Sequence, residues 1–208
     1  MTSVTVSAPR LSQPPRAWQR MLSGRRLDLV DPSPLDVEIE DIAHGLARVA
    51  RWNGQTSGAH VFSVAQHSLL VEKISGSLKP DLPSRWRLAM LLHDAPEYVI
   101  GDMISPFKAV LGGTYKMFEH RLLVAIHTRF GLPTDLPVPI QKLSKKADRS
   151  AAYLEATHLA GFAHTEARQF FGRPVGVPAN LDLTPWPADE AKQRFLARFA
   201  ELTDDAPP

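Results

Sequence analysis

The stretch MLLHDAPEYVIGD, residues 90–102, decides how the chain is read. It begins as the end of an apolar helix and passes, with no loop-like residues between, into His93, Asp94, Glu97 and Asp102. Upstream, Trp86, Ala89, Met90 and His93 recur at i, i+3, i+4 and i+7, so a histidine completes an otherwise apolar stripe. Pro96 cannot continue the hydrogen-bond ladder of that helix. It suits the first turn of a new one, with Asp94 as N-cap and Glu97 three residues later. The local grammar is helix, corner, helix.

Working outward, the same period recurs on both sides. Ile39, Ile42, Ala43, Leu46, Val49 and Ala50 make one face, closed by Asn53 and Gly54. Ser63 and Gln66 stand at capping-box spacing and announce a helix whose inward stripe reads His67, Leu70, Val71 and Ile74, with Glu72 and Lys73 left to solvent. Further helices are expected from about Tyr115 to Phe130, ended by Gly131, and from about Ile140 to Ala160, with Ile140, Leu143, Ala147, Ala151, Leu154 and His158 along one side. A Pro- and Gly-rich linker from Gly172 to Pro187 precedes a last amphipathic helix carrying Ala191, Phe195 and Phe199. No segment alternates convincingly as a strand, and there is no internal repeat. The expectation is an all-α domain of six or seven helices over residues 35–208, behind an irregular basic arm at 1–34 that is rich in Ser, Pro and Arg.

Composition bounds the chemistry. With 208 residues, 44% of them apolar and 22% charged, the chain suits one globular domain with tails. No stretch approaches the roughly 18 uninterrupted apolar residues of a bilayer span, and the N-terminus lacks a secretory layout, so a soluble cytoplasmic protein without a membrane partner is expected. There is no cysteine, which excludes disulfides and thiolate ligands, so any metal must be held by nitrogen and oxygen. The net charge of +2 is near balance, although Arg10, Arg16, Arg20, Arg25 and Arg26 fall in a segment with no acidic residue. Such an arm could touch nucleic acid or another subunit, but a solvated tail is the plainer reading, and nucleic acid is not expected as the partner.

Against this background, polar residues sit where helices should be apolar. His67 lies on its stripe, His93 and Asp94 close theirs, and Asp148 interrupts SKKADRSAA among Ala147, Ala151 and Ala152. Aspartate is a poor interior helix residue, and a buried carboxylate needs a partner. For His93 and Asp94 the plain alternative is a core histidine with one hydrogen bond beside a helix-capping aspartate. Two histidines and two aspartates on three helices, if they converge, would form an octahedral site for a divalent first-row metal with positions left for water.

The ordered set of His67 in VAQHS, His93 and Asp94 in LLHDAPE and Asp148 in KKADR, with GDMISPFK directly after the pair, resembles the HD superfamily of metal-dependent phosphohydrolases. It is most similar to the branch of bacterial 5'-deoxynucleotidases and phage deoxynucleotide phosphohydrolases. The likeness covers a catalytic core at about 41–165 and leaves out the arm and the tail. It implies an HD-domain helical bundle in which His67, His93, Asp94 and Asp148 hold one divalent metal ion: manganese, cobalt, iron, nickel, zinc or magnesium. It further implies that Glu97 handles the attacking water or the leaving oxygen and that Asp102 lies near the sugar or phosphate. Arg51 would then grip phosphate, with Trp52 crowding the 2' position of the sugar. Lys108 is a second phosphate contact on this reading.

Each assignment has a plainer counterpart. Glu97 completes a capping box, Asp102 follows a turn glycine, Arg51 favours a helix C-terminus, Trp52 fills core, and Lys108 is solvated. His60 could line the site, whereas His44, His120, His127, His158 and His164 read as core or surface residues. The resemblance implies an enzyme that releases phosphate from deoxynucleoside 5'-monophosphates, with a homodimer as a further expectation. A deoxynucleoside triphosphate triphosphohydrolase with Lys145, Lys146 and Arg149 as the added clamp is the nearest alternative. A non-catalytic metal-containing nucleotide-binding module and a helical DNA-binding protein using the arm are the others.

Overall fold

The computed structural model describes residues 17–104 and 113–204. Their architecture is all-α, with eight α-helices and one two-stranded ribbon among the described residues. The helices are α1 (Ile39–Leu46), α2 (Val64–Leu78), α3 (Ser84–Leu91), α4 (Glu97–Ile100), α5 (Gly113–Arg129), α6 (Val138–His158), α7 (His164–Phe171) and α8 (Ala188–Asp204). One more helix is present than the upper expectation because residues 164–171, which carry no helix in the reading of the sequence, form α7. The largest apolar cluster joins α1, α2, α3, α5 and α8 around Ile42, Leu46, Leu91, Ile126 and Phe195. A second cluster, around Phe62, Val71, Ile74, Ala151 and Leu154, seals α2 against α6.

Two readings of the sequence are corrected here. The segment from Ala17 onward is not irregular: β1 (Trp18–Arg20) and β2 (Arg26–Asp28) pair antiparallel, with Gly24 at φ 90° in the turn between them. Leu27 is fully buried in the main core, and buried Asp41 accepts hydrogen bonds from the Ser23 amide at 2.9 Å and its hydroxyl at 2.5 Å. Three-residue strands are too short to show alternation in sequence, and the contacts that hold them lie on α1. Residues 1–16 of the arm lie outside the described residues. Glu72, assigned to solvent, is instead buried between Arg87 at 2.5 Å and Arg198 at 2.8 Å. α3 and α8 both pack on α2 and bring these cations to it.

Helix starts and stops follow local chemistry. The Ser63 hydroxyl accepts from the Gln66 amide at 3.2 Å, as the capping spacing requires. The reciprocal half of the box is not made. The Gln66 side chain instead donates to Thr184 O at 2.8 Å and accepts from Trp186 N at 3.1 Å, tying the 172–187 linker across the top of α2. α1 ends at Leu46, short of the apolar face read from the sequence, because Ala50 leaves to bridge Ser63 in an antiparallel pair. None of the described helices is long and apolar enough to cross a membrane.

Candidate metal centre

The inward stripe of α2 is buried throughout: His67, Val71 and Ile74 are wholly covered and Leu70 nearly so. This places the His67 ring in the centre of the molecule. Across from it, α6 presents Asp148 between Ala147 and Ala151, whose small side chains let α6 lie close to α2. α3 stops at Leu91, so His93 and Asp94 stand in the turn of residues 92–96, not on the helix. The capping role considered for Asp94 is not taken: the residue before α4 is Pro96, with no side-chain cap. The Asp94 backbone carbonyl accepts from the Glu97 amide at 3.0 Å, which leaves its carboxylate free to point elsewhere.

It points at two histidines. Asp94 Oδ2 lies 3.2 Å from His93 Nε2 and 3.4 Å from His67 Nε2, and Asp148 Oδ1 lies 3.4 Å from His67 Nε2. Ligand atoms of His67, His93 and Asp148 all fall within 4.8 Å of one another. The two rings are tilted by 46° with centroids 5.2 Å apart. Side-chain exposure rises from 0% at His67 through 12% at His93 to 40% at Asp148, so the cluster opens to solvent on its α6 side.

Tautomers follow from the partners. His93 Nδ1 is 2.9 Å from the Met90 carbonyl, which can only accept, so Nδ1 carries the hydrogen. His67 Nδ1 is 2.5 Å from Glu155 Oε1 and donates to that carboxylate. In the neutral ring each Nε2 is therefore a lone pair, and both are buried without a hydrogen-bond partner among the described residues. Lone pairs facing carboxylate oxygens repel unless a cation lies between them. A protonated Nε2 would pull an aspartate oxygen to about 2.7–2.9 Å, shorter than any of the three separations here. The donor set, two imidazole nitrogens and two carboxylates, fits a divalent ion of the manganese-to-zinc series or magnesium.

Electrostatics give the same answer. Burial and Arg51 both oppose a charged His67, but Glu155, Asp148 and Asp94 outweigh them and lift its pKa well above the ordinary value. For Asp94, burial favours the neutral acid, yet His93 and His67 hold the carboxyl well below its usual range. The cluster therefore favours positive charge between its side chains, a demand that a metal ion could meet.

Glu155 is the residue that sequence reading missed. It is fully buried, seven residues beyond Asp148 on the same face of α6. Besides His67, it accepts from Trp52 Nε1 at 2.9 Å and Arg51 Nε at 3.3 Å. Burial would raise its pKa, but His67 and Arg51 prevail and lower it to about 2. The signal was present in the seven-residue spacing from Asp148, which puts both carboxylates on one helical stripe.

Arg51 is clamped from two sides, with Nη1 3.1 Å from Asp102 Oδ2 and Nε on Glu155. Burial disfavours its charge, but Glu155, Asp102, Asp94 and Glu97 hold the guanidinium firmly protonated. Arg51 and Trp52 are placed by an unusual turn, Arg51–Gly54, in which Trp52 and Asn53 have φ of 57° and 51°. This left-handed backbone turns the indole to pack on Phe162 and Phe171, with ring centroids 5.6 Å and 5.8 Å away. Glu97 opens α4 and is buried. Lys108 lies outside the described residues. His60 is exposed ahead of α2 and joins no metal-ligating group among the described residues. His127 is a core residue donating to Pro133 O at 2.8 Å, His44 is half-buried, and His120, His158 and His164 are exposed.

No protein-family model matches the chain. It is 57% identical over 188 residues to Uncharacterized protein RCAP_rcc00048 of Rhodobacter capsulatus, an alignment covering 90% of this chain and 96% of that one. It is 29% identical over 171 residues to Uncharacterized protein YfdR of Escherichia coli strain K12, covering 81% and 86% respectively.

Proposed function

The chain belongs to the family of Rhodobacter capsulatus RCAP_rcc00048, and for this member of it we propose a metal-dependent phosphohydrolase of the HD type, acting on nucleotides and releasing phosphate from deoxynucleoside 5'-monophosphates. The observation that carries the reading is the pair of buried Nε2 lone pairs on His67 and His93, facing Asp94 and Asp148 with both Nδ1 hydrogens already committed. In this reading His67, His93, Asp94 and Asp148 hold one divalent ion, which when bound supplies a Lewis acid for phosphate and for a water nucleophile.

The chain's own residues do the rest. Arg51, fixed by Glu155 and Asp102, brings a permanently charged guanidinium to the one phosphate of the substrate without paying for rotamer freedom at the moment of binding. Glu97, buried at the start of α4, takes up or delivers the proton exchanged between water and leaving oxygen. Asp102 positions Arg51 and so acts on phosphate through it. Trp52 excludes a 2'-hydroxyl by bulk, its ring held by Glu155, Phe162 and Phe171. A triphosphate substrate would need positive charge beyond Arg51, and Lys145, Lys146 and Arg149, the cations that could add it, line a cleft whose lining does not include Asp148.

The test is a phosphate-release panel on metal-stripped protein, with each of the six metals restored in turn and with deoxy- and ribonucleoside monophosphates and deoxynucleoside triphosphates as substrates. Deoxymonophosphates should be cleaved only when metal is present. Folded His93→Ala or Asp148→Ala protein with full metal content and full activity would overturn the assignment. Release of triphosphate would replace monophosphatase by triphosphohydrolase, and tight nucleotide binding without turnover would replace it by a binding module.

A further inference from the structure

We propose that the cleft between α6 and residues 171–175 binds a small polyphosphate anion, at a site distinct from the metal centre. Lys142, Lys145, Lys146 and Arg149 recur at i, i+3, i+4 and i+7 on α6, and Arg173 lines the same open depression of about 390 Å³. At 100° per residue Asp148 lies about 60° round α6 from Lys145 and roughly 110° from the centre of this stripe, with Glu155 and Ala151 further round, so the stripe occupies the face of α6 next to the one that meets α2. The two sites share a helix, and no residue lining the cleft is among the candidate metal ligands.

Three features separate this cleft from an ordinary solvated helix face. First, among the described residues none of the five cations forms an ion pair, whereas Arg48, Arg87, Arg194 and Arg198 all do. Second, each turn of the stripe sets like charges three or four residues apart, an arrangement unfavourable to the helix that carries it. Third, the cations line a shallow, open depression, and one side of it is fixed in place. The Val175 amide donates to the Ser150 hydroxyl at 3.1 Å, and that hydroxyl donates to the Lys146 carbonyl at 3.0 Å. A concave wall of one sign focuses potential and concentrates an anion.

The chemistry selects more than one phosphate. Five formal positive charges exceed what a monophosphate would neutralise, and a chain of two or three phosphates matches the run of cations along two turns of α6. Phe171 adds an apolar wall, so the occupant is either a nucleoside di- or triphosphate with its base against that ring or an inorganic polyphosphate. Phosphate supplies the shared recognition in both cases.

The experiment is isothermal titration of the full-length chain in chelator, with tripolyphosphate, a deoxynucleoside triphosphate and a single-stranded DNA oligonucleotide as ligands. Without metal, the His67 centre is surrounded by carboxylates and repels such anions, so binding there does not interfere. Saturable binding of tripolyphosphate or the triphosphate in the micromolar range is expected, weakened by added salt. It should fall by about tenfold or more in Lys146→Glu/Arg149→Glu protein, and metal content measured separately should not change. Tighter binding of the nucleotide than of tripolyphosphate would assign the Phe171 wall to the base, and equal binding would assign recognition to phosphate alone. If the charge-reversed protein fails to fold, Lys146→Gln/Arg149→Gln decides, and it should melt no lower than the parent because like-charge contacts have been removed. The proposal is overturned by no saturable binding, by binding unchanged in the variants, or by preferential binding of the oligonucleotide.

Discussion

Glu155 Oε1 accepts the Nδ1 hydrogen of His67 at 2.5 Å, and both side chains are completely buried. A charged carboxylate with no access to water sets which nitrogen of the ring faces the metal centre, and also anchors Arg51 and Trp52. One acid therefore positions a candidate metal ligand and the proposed phosphate contact together.

Replacing it by the isosteric amide separates charge from shape. Glu155→Gln should lower metal affinity by roughly tenfold to a hundredfold while the helical spectrum is retained. Metal titration of stripped protein reads this directly. Unchanged affinity would mean that the ring is oriented by packing alone.

Acid should act through the same residue. The Glu155 carboxyl is held at about 2 against an ordinary value of 4.5, so its contribution to stability is complete above that ordinary value and is lost as the pH falls toward 2. The contribution is on the order of 3 kcal/mol, with Glu155 paired to His67 and Arg51 inside the molecule. Denaturant unfolding between about pH 6 and about pH 3 should show the parent losing stability more steeply than Glu155→Gln. Parallel curves would contradict the assignment.

The turn that delivers Arg51 carries a measurable backbone cost. Asn53 has φ 51° and ψ 32°, where a β-carbon is unfavourable by about 1–2 kcal/mol and asparagine is better tolerated than most residues. Asn53→Gly should leave stability unchanged or raise it, and Asn53→Ala should fall below the glycine variant by about 1 kcal/mol. Equal melting temperatures for the two variants would mean that the turn adjusts its backbone.

Gly45 sets how closely α1 approaches α4. A β-carbon there would lie 2.7 Å from the Tyr98 carbonyl oxygen and 2.8 Å from its Cβ, neither at the end of a flexible chain. Gly45→Ala should cost about 1–3 kcal/mol and push away the short helix that begins with Glu97. If the proposed hydrolase activity holds, it should then drop while metal stoichiometry is kept, and a melting temperature equal to the parent's would show that the helices part without strain.

Much of this was legible in the chain itself, and the reason is locality. The 3.6-residue period of α2 put His67 among Leu70, Val71 and Ile74, and burial of all four follows from that spacing alone. Pro96 marked the corner that carries His93 and Asp94, and the absence of cysteine restricted ligands to nitrogen and oxygen. Where a residue's role depended on distant partners, the pattern was silent or misleading. Glu72 looked solvated because Arg87 and Arg198 reach it from other helices, and Glu155 lies 88 residues from His67 in sequence. Helical period and residue type thus determined which side chains turn inward and which atoms could bind a metal. Tertiary structure alone decided which lone pairs face one another and which carboxylate holds the ring. Those facts depend on how separate helices pack, and the period of one helix does not encode the charge on its neighbour.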